Sequence, residues 1–277
     1  MPMELFKENN ETRVRQSFDA PTVYFDHWAL CDFSDDAMLQ DRFVKTMLEK
    51  QGTFVLSHTN LAEFTNANDP RHAEAAERFL ERLMPNVYLT DFDLEKAESF
   101  ERQPGYAGQR IWPSADLPML KFVAERSITA GTDLTLVGFI TLAYLYRDRL
   151  SAKFTEANQN ILAALNEQRA DHGYVEKARR SVPDTIRPKT WVVMGELMRE
   201  LTIDTNATIT VNDIVDWQHA ILPVSCCDYV LLDRKWEQRV RAMAKRSAHQ
   251  GLRINFAKCF SKRNDGLNHF LNELEAH

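Results

Sequence analysis

The sequence has little glycine or proline and no long hydrophobic run, and these shortages exclude several classes of protein. Among its 277 residues, Gly occurs 9 times and Pro 10 times, which disfavours an all-β protein built on tight turns. The longest uncharged apolar stretch covers 134–146 and has 13 residues. Because a membrane-spanning helix needs about 20 apolar residues, we interpret this stretch as a buried core helix.

The cysteines also lack the pattern of a metal site. Cys31, Cys226, Cys227 and Cys259 contain no C-x-x-C pair and are not accompanied by a paired histidine pattern, so a zinc site is not expected. We expect them to be buried thiols in a reducing compartment. The first 16 residues show no apolar core of a signal peptide. Together these features predict a cytoplasmic protein.

Positive charge is not in excess over the whole chain, but it is concentrated near the C-terminus. The formal net charge is −6, which argues against a generally basic nucleic-acid binder. From 234 to 263, however, ten Lys or Arg accompany a single acid, Glu237. Such a run is either a solvated helix face or a surface for phosphate groups. The candidate nucleic-acid contacts are Arg234, Lys235, Arg239, Arg241, Lys245 and Arg246.

Apolar runs and helical patterns alternate along much of the chain. An apolar content of 44% supports a large core. Buried strands are predicted at 22–25, 52–57, 86–90, 229–233 and 252–260, with helices between them. This order predicts an α/β fold with a mainly parallel sheet. It divides the chain into a sheet-bearing domain at 20–95 and 208–262, a helical insertion at 96–207 and a C-terminal helix at 263–277.

Four carboxylates occupy positions that a parallel sheet would bring to one edge. Asp26 and Asp233 end apolar strands, Glu63 lies on the helix after the second strand, and Asp216 lies on the helix before the strand of Asp233. The carboxyl edge of such a sheet is where ligands bind. Four charges there would raise each other's pKa. A hard divalent cation removes the conflict, and oxygen ligands favour Mg²⁺ or Mn²⁺ over zinc. The chemistry suits phosphodiester hydrolysis.

Other polar residues nearby are candidates to support these carboxylates, and each also has a structural interpretation. Asn60 could bind a water or phosphate, or cap its own helix. Asp213 or its neighbour Asn212 could be an N-cap, and Asp228 a turn residue. His219, one turn from Asp216, could orient a carboxylate. Asp26 itself could simply cap the helix after its strand.

In their order, the segments VYFD, LSHTNLAEF, DWQHA and CDYVLLD resemble the motifs of the PIN-domain family of metal-dependent nucleases. The resemblance covers roughly 20–95 and 208–262 and does not extend to the helical middle. It implies a three-layer α/β/α fold in which Asp26, Asp216 and Asp233 hold Mg²⁺ or Mn²⁺, and Glu63 holds a metal or its water. One departure is Leu231, because the family often has Thr or Ser two residues before the last Asp.

The resemblance implies a metal-dependent endoribonuclease, and homodimers, since members of the family often dimerise. The insertion is much longer than in small toxin-type members, so a toxin role is not carried over. An alternative is a scaffold of the same fold that binds nucleic acid or protein with weak or no catalysis. A phosphatase of the haloacid-dehalogenase type is disfavoured because it needs a second Asp two residues after the first, where this chain has Trp28.

Overall fold

The computed structural model describes residues 3–9, 11–64, 69–91, 93–103, 112–131, 134–183 and 188–277, with the backbone alone for 149–154. Within these residues, two strands form an antiparallel hairpin and five form a central parallel sheet. The hairpin strands are β1 (Met3–Glu8) and β2 (Glu11–Gln16). The sheet strands are β3 (Thr22–Phe25), β4 (Thr53–Ser57), β5 (Val87–Thr90), β6 (Tyr229–Leu231) and β7 (Lys258–Phe260).

Helices connect the strands and cover both faces of the sheet. Many begin at a capping aspartate, as at Asp36, Asp69 and Asp116, whose side chains accept backbone N–H bonds of the first turn. A short 3-10 helix, Arg263–Asp265, precedes the last one. The described helices are α1 (His27–Asp35), α2 (Ala37–Glu49), α3 (His58–Phe64), α4 (Pro70–Leu83), α5 (Leu94–Glu101), α6 (Leu117–Ala130), α7 (Phe139–Leu145), α8 (Arg147–Ala170), α9 (His172–Arg180), α10 (Lys189–Ile203), α11 (Val211–Cys226), α12 (Arg234–His249) and α13 (Gly266–Ala276).

The sheet order is β5-β4-β3-β6-β7. The first strand of the sheet, β3, therefore lies at its centre, and the later strands extend it toward both edges. Every residue of β3, β4, β5 and β6 is buried, as expected for parallel strands covered on both faces. The carboxyl ends of β3, β4 and β6 are neighbours in the register. This arrangement confirms the predicted three-layer α/β/α class and brings the chain segments after these three strands together.

Two apolar clusters fill the spaces between the sheet and the helices. One cluster contains Phe25, Phe43 and Phe79, and the other contains Tyr24, Val55 and Trp236. Helices from the predicted insertion contribute to both: α6 and α7 pack in the first cluster, and α8 and α10 pack in the second. The insertion boundaries stay a prediction, but the helices of this segment complete the two layers beside the sheet.

Three predicted elements need correction, and one element, the N-terminal hairpin of β1 and β2, was not predicted. The strand expected at 229–233 ends at Leu231, so Asp233 lies two residues beyond it. The expected last strand at 252–260 is a strand only at its final three residues. The stretch 134–146 is helical only from Phe139 onward, and Val137, Leu145 and Tyr146 are exposed, so it is not a fully buried helix. No helix among the described residues combines the length and apolar character needed to cross a bilayer.

The free edge of β5 is covered by polar groups from other parts of the chain. The side-chain amide of Gln16 donates to the Leu89 carbonyl oxygen at 2.8 Å and accepts from the Leu89 N–H at 3.0 Å. The backbone N–H of Asp116 donates to the same carbonyl, and Ala115 forms a bridge with Thr90. The edge strand is thereby hydrogen-bonded at its centre and at its end.

Candidate metal centre

Asp26 lies at the carboxyl end of β3, in the middle of the sheet, and is 4% exposed. Its N–H donates to the Leu231 carbonyl oxygen at 3.0 Å. Its Oδ1 accepts from the N–H of His27 at 2.7 Å, so the residue caps α1. Burial raises the pKa of the Asp26 carboxyl to about 6, and Glu63 and Asp233 add to the effect. Asp26 therefore has the predicted capping role and also interacts electrostatically with the neighbouring acids.

Glu63 on α3 and His219 on α11 meet beside Asp26. Glu63 Oε2 and His219 Nε2 are 2.8 Å apart. The carboxylate and the ring form an ion pair when His219 is protonated. One ligand atom from each of Asp26, Glu63 and His219 lies within 4.8 Å of the other two. His219, predicted only as a supporting residue, is thus part of the cluster itself.

The charge of His219 is set by its surroundings. The imidazole is fully buried, and its Nδ1 contacts the hydroxyl group of Tyr24. Burial alone lowers the pKa of a histidine, but the carboxylates of Glu63, Asp26 and Asp216 outweigh it and raise the pKa of His219 to about 9. An imidazolium here neutralises part of the acidic charge. Sequence spacing placed His219 near Asp216 but gave no signal for Tyr24 as its partner.

Asp216 and Asp233 are held in place by one tryptophan. The indole N–H of Trp236 donates to Asp216 Oδ2 at 3.1 Å, and the backbone N–H of Trp236 donates to Asp233 Oδ1 at 2.8 Å. Trp236 is fully buried, and Asp233 caps α12. Burial raises the pKa of Asp216 to about 8, with further contributions from Asp26 and Asp233. The four predicted carboxylates therefore interact electrostatically at one edge of the sheet.

Asn60 joins the carboxyl ends of β3 and β4 beside the cluster. Its Oδ1 accepts from the N–H and the hydroxyl group of Ser57 at 3.0 Å each, and its Nδ2 donates to the Phe25 carbonyl oxygen at 2.9 Å. The residue is 1% exposed. Asn60 therefore positions the chain just before Asp26 and is not placed to contact a phosphate group.

Asp213 and Asp228 serve local structure elsewhere. Thr210 is the N-cap of α11. The side chain of Asp213, the third helical residue, in turn accepts a hydrogen bond from the Thr210 N–H. The expectation that Asp213 or Asn212 is the N-cap is therefore wrong, and Asp213 also pairs with Lys235. Asp228 accepts from the Thr22 N–H at 2.8 Å. Thr22 begins β3, so Asp228 lies at the opposite end of the strands, roughly 13 Å from the cluster.

The predicted nucleic-acid contacts of α12 separate into inward and outward groups. Arg239 is 8% exposed, stacks on Trp236 with 5.0 Å to the ring centre, and lies 3.8 Å from Asp204 Oδ2. Arg246 pairs with Glu196 at 2.7 Å and contacts the Ser181 carbonyl. Both side chains are engaged inside the protein, so neither is placed to bind phosphate.

The other four cations of α12 face solvent to different degrees. Lys235 is tied to Asp213, and Arg241 pairs with Glu237 at 2.5 Å. Arg234 and Lys245 are exposed and form no ion pair among the described residues. Arg234 follows Asp233 directly and is nearest the cluster. Lys245 lies about 16 Å further along the helix.

Either protons or a metal ion can compensate the negative charge of the acids in the cluster. Without a cation, the repulsion between the carboxylates is reduced because His219 is protonated and because the raised pKa values of Asp26 and Asp216 favour their neutral forms. A divalent ion would replace those protons. Comparison with models of known families, with curated proteins and with solved structures finds no match for this chain. The geometry of the cluster is therefore the basis for assigning a function.

Proposed function

We propose that the protein is a Mg²⁺- or Mn²⁺-dependent nuclease that hydrolyses phosphodiester bonds, with RNA as its substrate. The observation that carries the proposal is that ligand atoms of Asp26, Glu63 and His219 lie within 4.8 Å of one another at the carboxyl edge of a parallel sheet. Asp216 and Asp233 lie outside this group but interact electrostatically with Asp26. Burying several carboxylates together costs free energy unless a cation compensates them. This placement at the usual ligand-binding edge favours function over stability as the reason for keeping them.

The donor set fits a hard divalent ion. The carboxylates of Asp26, Glu63, Asp216 and Asp233 would hold it, and ligand atoms of Asp26, Glu63 and His219 already lie within 4.8 Å of one another. Oxygen ligands of this kind suit Mg²⁺ and Mn²⁺. Such an ion supplies Lewis-acid stabilisation of the phosphate oxygens and lowers the pKa of a water. His219 Nε2 adds a nitrogen that Mn²⁺ accepts more readily than Mg²⁺.

The residues of the chain fix the geometry that hydrolysis needs. The cap bond of Asp26 and the two bonds of Trp236 hold three carboxylates in fixed orientations. In this proposal water attacks the phosphorus directly and no enzyme-bound covalent intermediate forms. Glu63 would accept the proton of that water, the P–O bond to the leaving sugar oxygen would break, and that oxygen would take a proton from solvent. Arg234, next to Asp233, would contact a neighbouring phosphate group.

A binding module without catalysis is the second candidate, and one observation favours it. The ion pair between His219 and Glu63 already neutralises part of the acidic charge. A cluster balanced in this way can persist without a metal ion. In that case the exposed cations of α12 would bind a polyanion, and the carboxylates would serve structure alone.

Cleavage of labelled single-stranded RNA and DNA, with Mg²⁺, Mn²⁺ or EDTA, tests the proposal. Asp26→Asn should reduce metal-dependent cleavage at least about 100-fold, since the charge of a first ligand is lost. Asp36→Asn is the matched control, because Asp36 also caps a helix, α2, through its side chain, but lies outside the cluster. It should retain full activity.

The outcomes separate the two candidates. Metal-dependent RNA cleavage that Asp26→Asn loses and Asp36→Asn keeps supports the nuclease. Absence of cleavage by the wild type, together with no Mn²⁺ binding by calorimetry, refutes it and leaves the binding module. Preference for DNA would correct the substrate class only.

A further inference from the structure

The imidazole of His219 reaches the candidate metal centre from α11 and brings a nitrogen to a site otherwise formed by carboxylates. Its Nε2 lies 2.8 Å from Glu63 Oε2, and one ligand atom each of Asp26, Glu63 and His219 lies within 4.8 Å of the other two. Two adjacent ligands of an octahedral ion, each about 2.1 Å from it, are roughly 3.0 Å apart, and two opposite ligands are about 4.2 Å apart. The spacing of the three side chains is therefore close to that of ligands sharing one ion.

The charges of these three side chains match a divalent ion. The carboxylates of Asp26 and Glu63 supply two negative charges, and an imidazole that binds a metal is neutral. Asp26 and His219 are both buried, and an uncompensated charge in a buried site is costly. Two carboxylates and one imidazole can therefore hold a divalent ion without leaving a net charge among the three ligands.

Tyr24 determines which ring nitrogen of His219 faces the cluster. Its hydroxyl group contacts His219 Nδ1, and Nε2 is the nitrogen beside Glu63. In metal sites, the second nitrogen of a histidine ligand is regularly held by a hydrogen bond, which fixes the orientation of the ring. When Nδ1 donates to the Tyr24 oxygen, the lone pair of Nε2 is free to bind an ion.

The position of Tyr24 follows from the alternation of side chains along β3. Successive residues of a strand point to opposite faces of the sheet, so Phe25 packs in one apolar cluster and Tyr24 packs in the other, with residues of α11. Tyr24 is fully buried, and the side chains of Ser57 and Asn60 also interact with its hydroxyl group. The hydroxyl group is thus held by the end of β4 and the start of α3, and it can hold the imidazole in turn.

We propose that His219 is a direct ligand of the metal ion, that Tyr24 is its positioning residue, and that the site therefore prefers first-row transition ions such as Mn²⁺ to Mg²⁺. Imidazole nitrogen suits transition ions, whereas Mg²⁺ prefers oxygen ligands and gives up its waters reluctantly. A site of carboxylates alone would show a smaller preference. The inference rests on the proposed metal centre, but it concerns the ion and the atoms that bind it and is independent of the reaction.

Electron spin-echo envelope modulation of Mn²⁺ bound to the full chain, without RNA, tests the ligand directly. A coordinated imidazole should give the modulation of a directly bound nitrogen, and this signal should change when the histidines carry the heavier nitrogen isotope. His219→Gln places an amide group near the position of Nε2 and should abolish the signal.

Competition calorimetry measures the preference between the two ions. The wild type should bind Mn²⁺ at least about 30-fold more tightly than Mg²⁺. His219→Gln can offer an oxygen in place of the nitrogen, so it should reduce this ratio at least about fivefold.

Tyr24→Phe removes the hydroxyl group and keeps the ring. It should lower the affinity for Mn²⁺ about tenfold, as expected when a residue that holds a metal ligand is changed, and lower the affinity for Mg²⁺ less. A purely structural role of Tyr24 would weaken the binding of both ions equally.

Tyr229→Phe and His277→Gln are the matched controls. The Tyr229 hydroxyl group contacts His277 Nδ1 at 3.1 Å, which is the same kind of pair, but Tyr229 begins β6 and lies at the opposite end of the strands from the cluster. Both control variants should bind Mn²⁺ and Mg²⁺ as the wild type does.

A directly bound nitrogen that His219→Gln loses, together with a lower ratio of Mn²⁺ to Mg²⁺ affinity in both site variants, supports the proposal. Absence of a coordinated nitrogen in the wild type overturns it, and this measurement requires no variant to fold. Unchanged affinity ratios in variants that circular dichroism shows to be folded also overturn it. The nuclease proposal would survive either result, because carboxylates alone can hold the ion. Failure of Mn²⁺ to bind the wild type at all would overturn both proposals.

Discussion

Replacing Asp216 by Asn should make the metal-free protein more stable, although it removes a proposed ligand. The pKa of this carboxyl rises from 3.8 to about 8 on folding. A folded-state pKa above the unfolded one means that folding retains a proton, so stability falls as the pH rises from 3.8 toward 8. At 1.36 kcal/mol per pKa unit, the cost reaches about 5 kcal/mol at pH 8 as an upper figure.

Asn imitates the protonated acid. Its side-chain oxygen can keep the bond from the Trp236 indole N–H, which is 3.1 Å from Asp216 Oδ2. We therefore expect Asp216→Asn to raise the free energy of unfolding at pH 8 by roughly 2–5 kcal/mol. The gain should disappear near pH 4, where the wild-type carboxyl is protonated in the folded state. Urea unfolding followed by circular dichroism at several pH values measures it.

Metal binding should reduce this advantage. A ligand that binds only the folded state adds about 2.7 kcal/mol at a concentration of 100 Kd. Mn²⁺ should therefore stabilise the wild type and have little effect on Asp216→Asn. Asp228→Asn is the control, because Asp228 is at the opposite end of the strands and its oxygen accepts from Thr22. It should lose about 1 kcal/mol and respond to Mn²⁺ normally. Equal stability of wild type and Asp216→Asn from pH 5 to 8 would refute the reasoning.

Two further predictions concern residues that support the site. Asn60→Ala should lower the free energy of unfolding by about 2–4 kcal/mol, because it leaves the Ser57 and Phe25 groups buried without their partner; urea unfolding with an unchanged value would contradict the bridging role. Arg239→Ala should cost about 1–3 kcal/mol of stability with little change in RNA affinity, whereas Lys245→Ala should weaken RNA binding in low salt and leave stability unchanged. Filter binding of RNA and urea unfolding, measured for both variants, test this prediction. A loss of RNA affinity in Arg239→Ala with a loss of stability in Lys245→Ala would contradict it.

The strands that form the site were predictable because they are buried on both faces. The apolar runs that became β3 and β4 begin and end within one residue of their predicted bounds, whereas β6 ends at Leu231, two residues before its predicted end at 233. The hairpin was missed because β2, with the sequence ETRVRQ, alternates charged and half-buried residues and pairs only with β1. Its stability comes from local antiparallel pairing and from contact with other elements. Neither produces an apolar run that could be recognised in the sequence.

The meeting of the carboxylates followed from topology, but their partners did not. Ends of neighbouring parallel strands coincide, so Asp26 and Asp233 had to be close. The bond from the Trp236 indole to Asp216 depends on how α11 and α12 pack, and the contact between His219 and Glu63 depends on α3. These are tertiary relations between distant segments that one sequence does not specify.

The inward direction of Arg239 could have been inferred. The buried residues of α12 include Trp236, Val240 and Met243, which follow helical spacing. Arg239 is three residues after Trp236 and belongs to the same stripe. The clustering of cations suggests a phosphate-binding surface, but the helical period places this arginine on the core-facing side. Arg246, three residues after Met243, follows the same spacing, but its partner Glu196 is on another helix and could not be inferred from the spacing.

The hydrogen bonds between Gln16 and Leu89 bear on how two copies of the chain could associate. Sheets often extend across a dimer by pairing the edge strand of one protomer with that of the other. Here both backbone groups of Leu89, on edge strand β5, are already occupied by a side chain from β2 and by Asp116. A partner strand could dock on this edge only after displacing the N-terminal hairpin. A dimer that leaves the hairpin in place must therefore form through another surface of the protein.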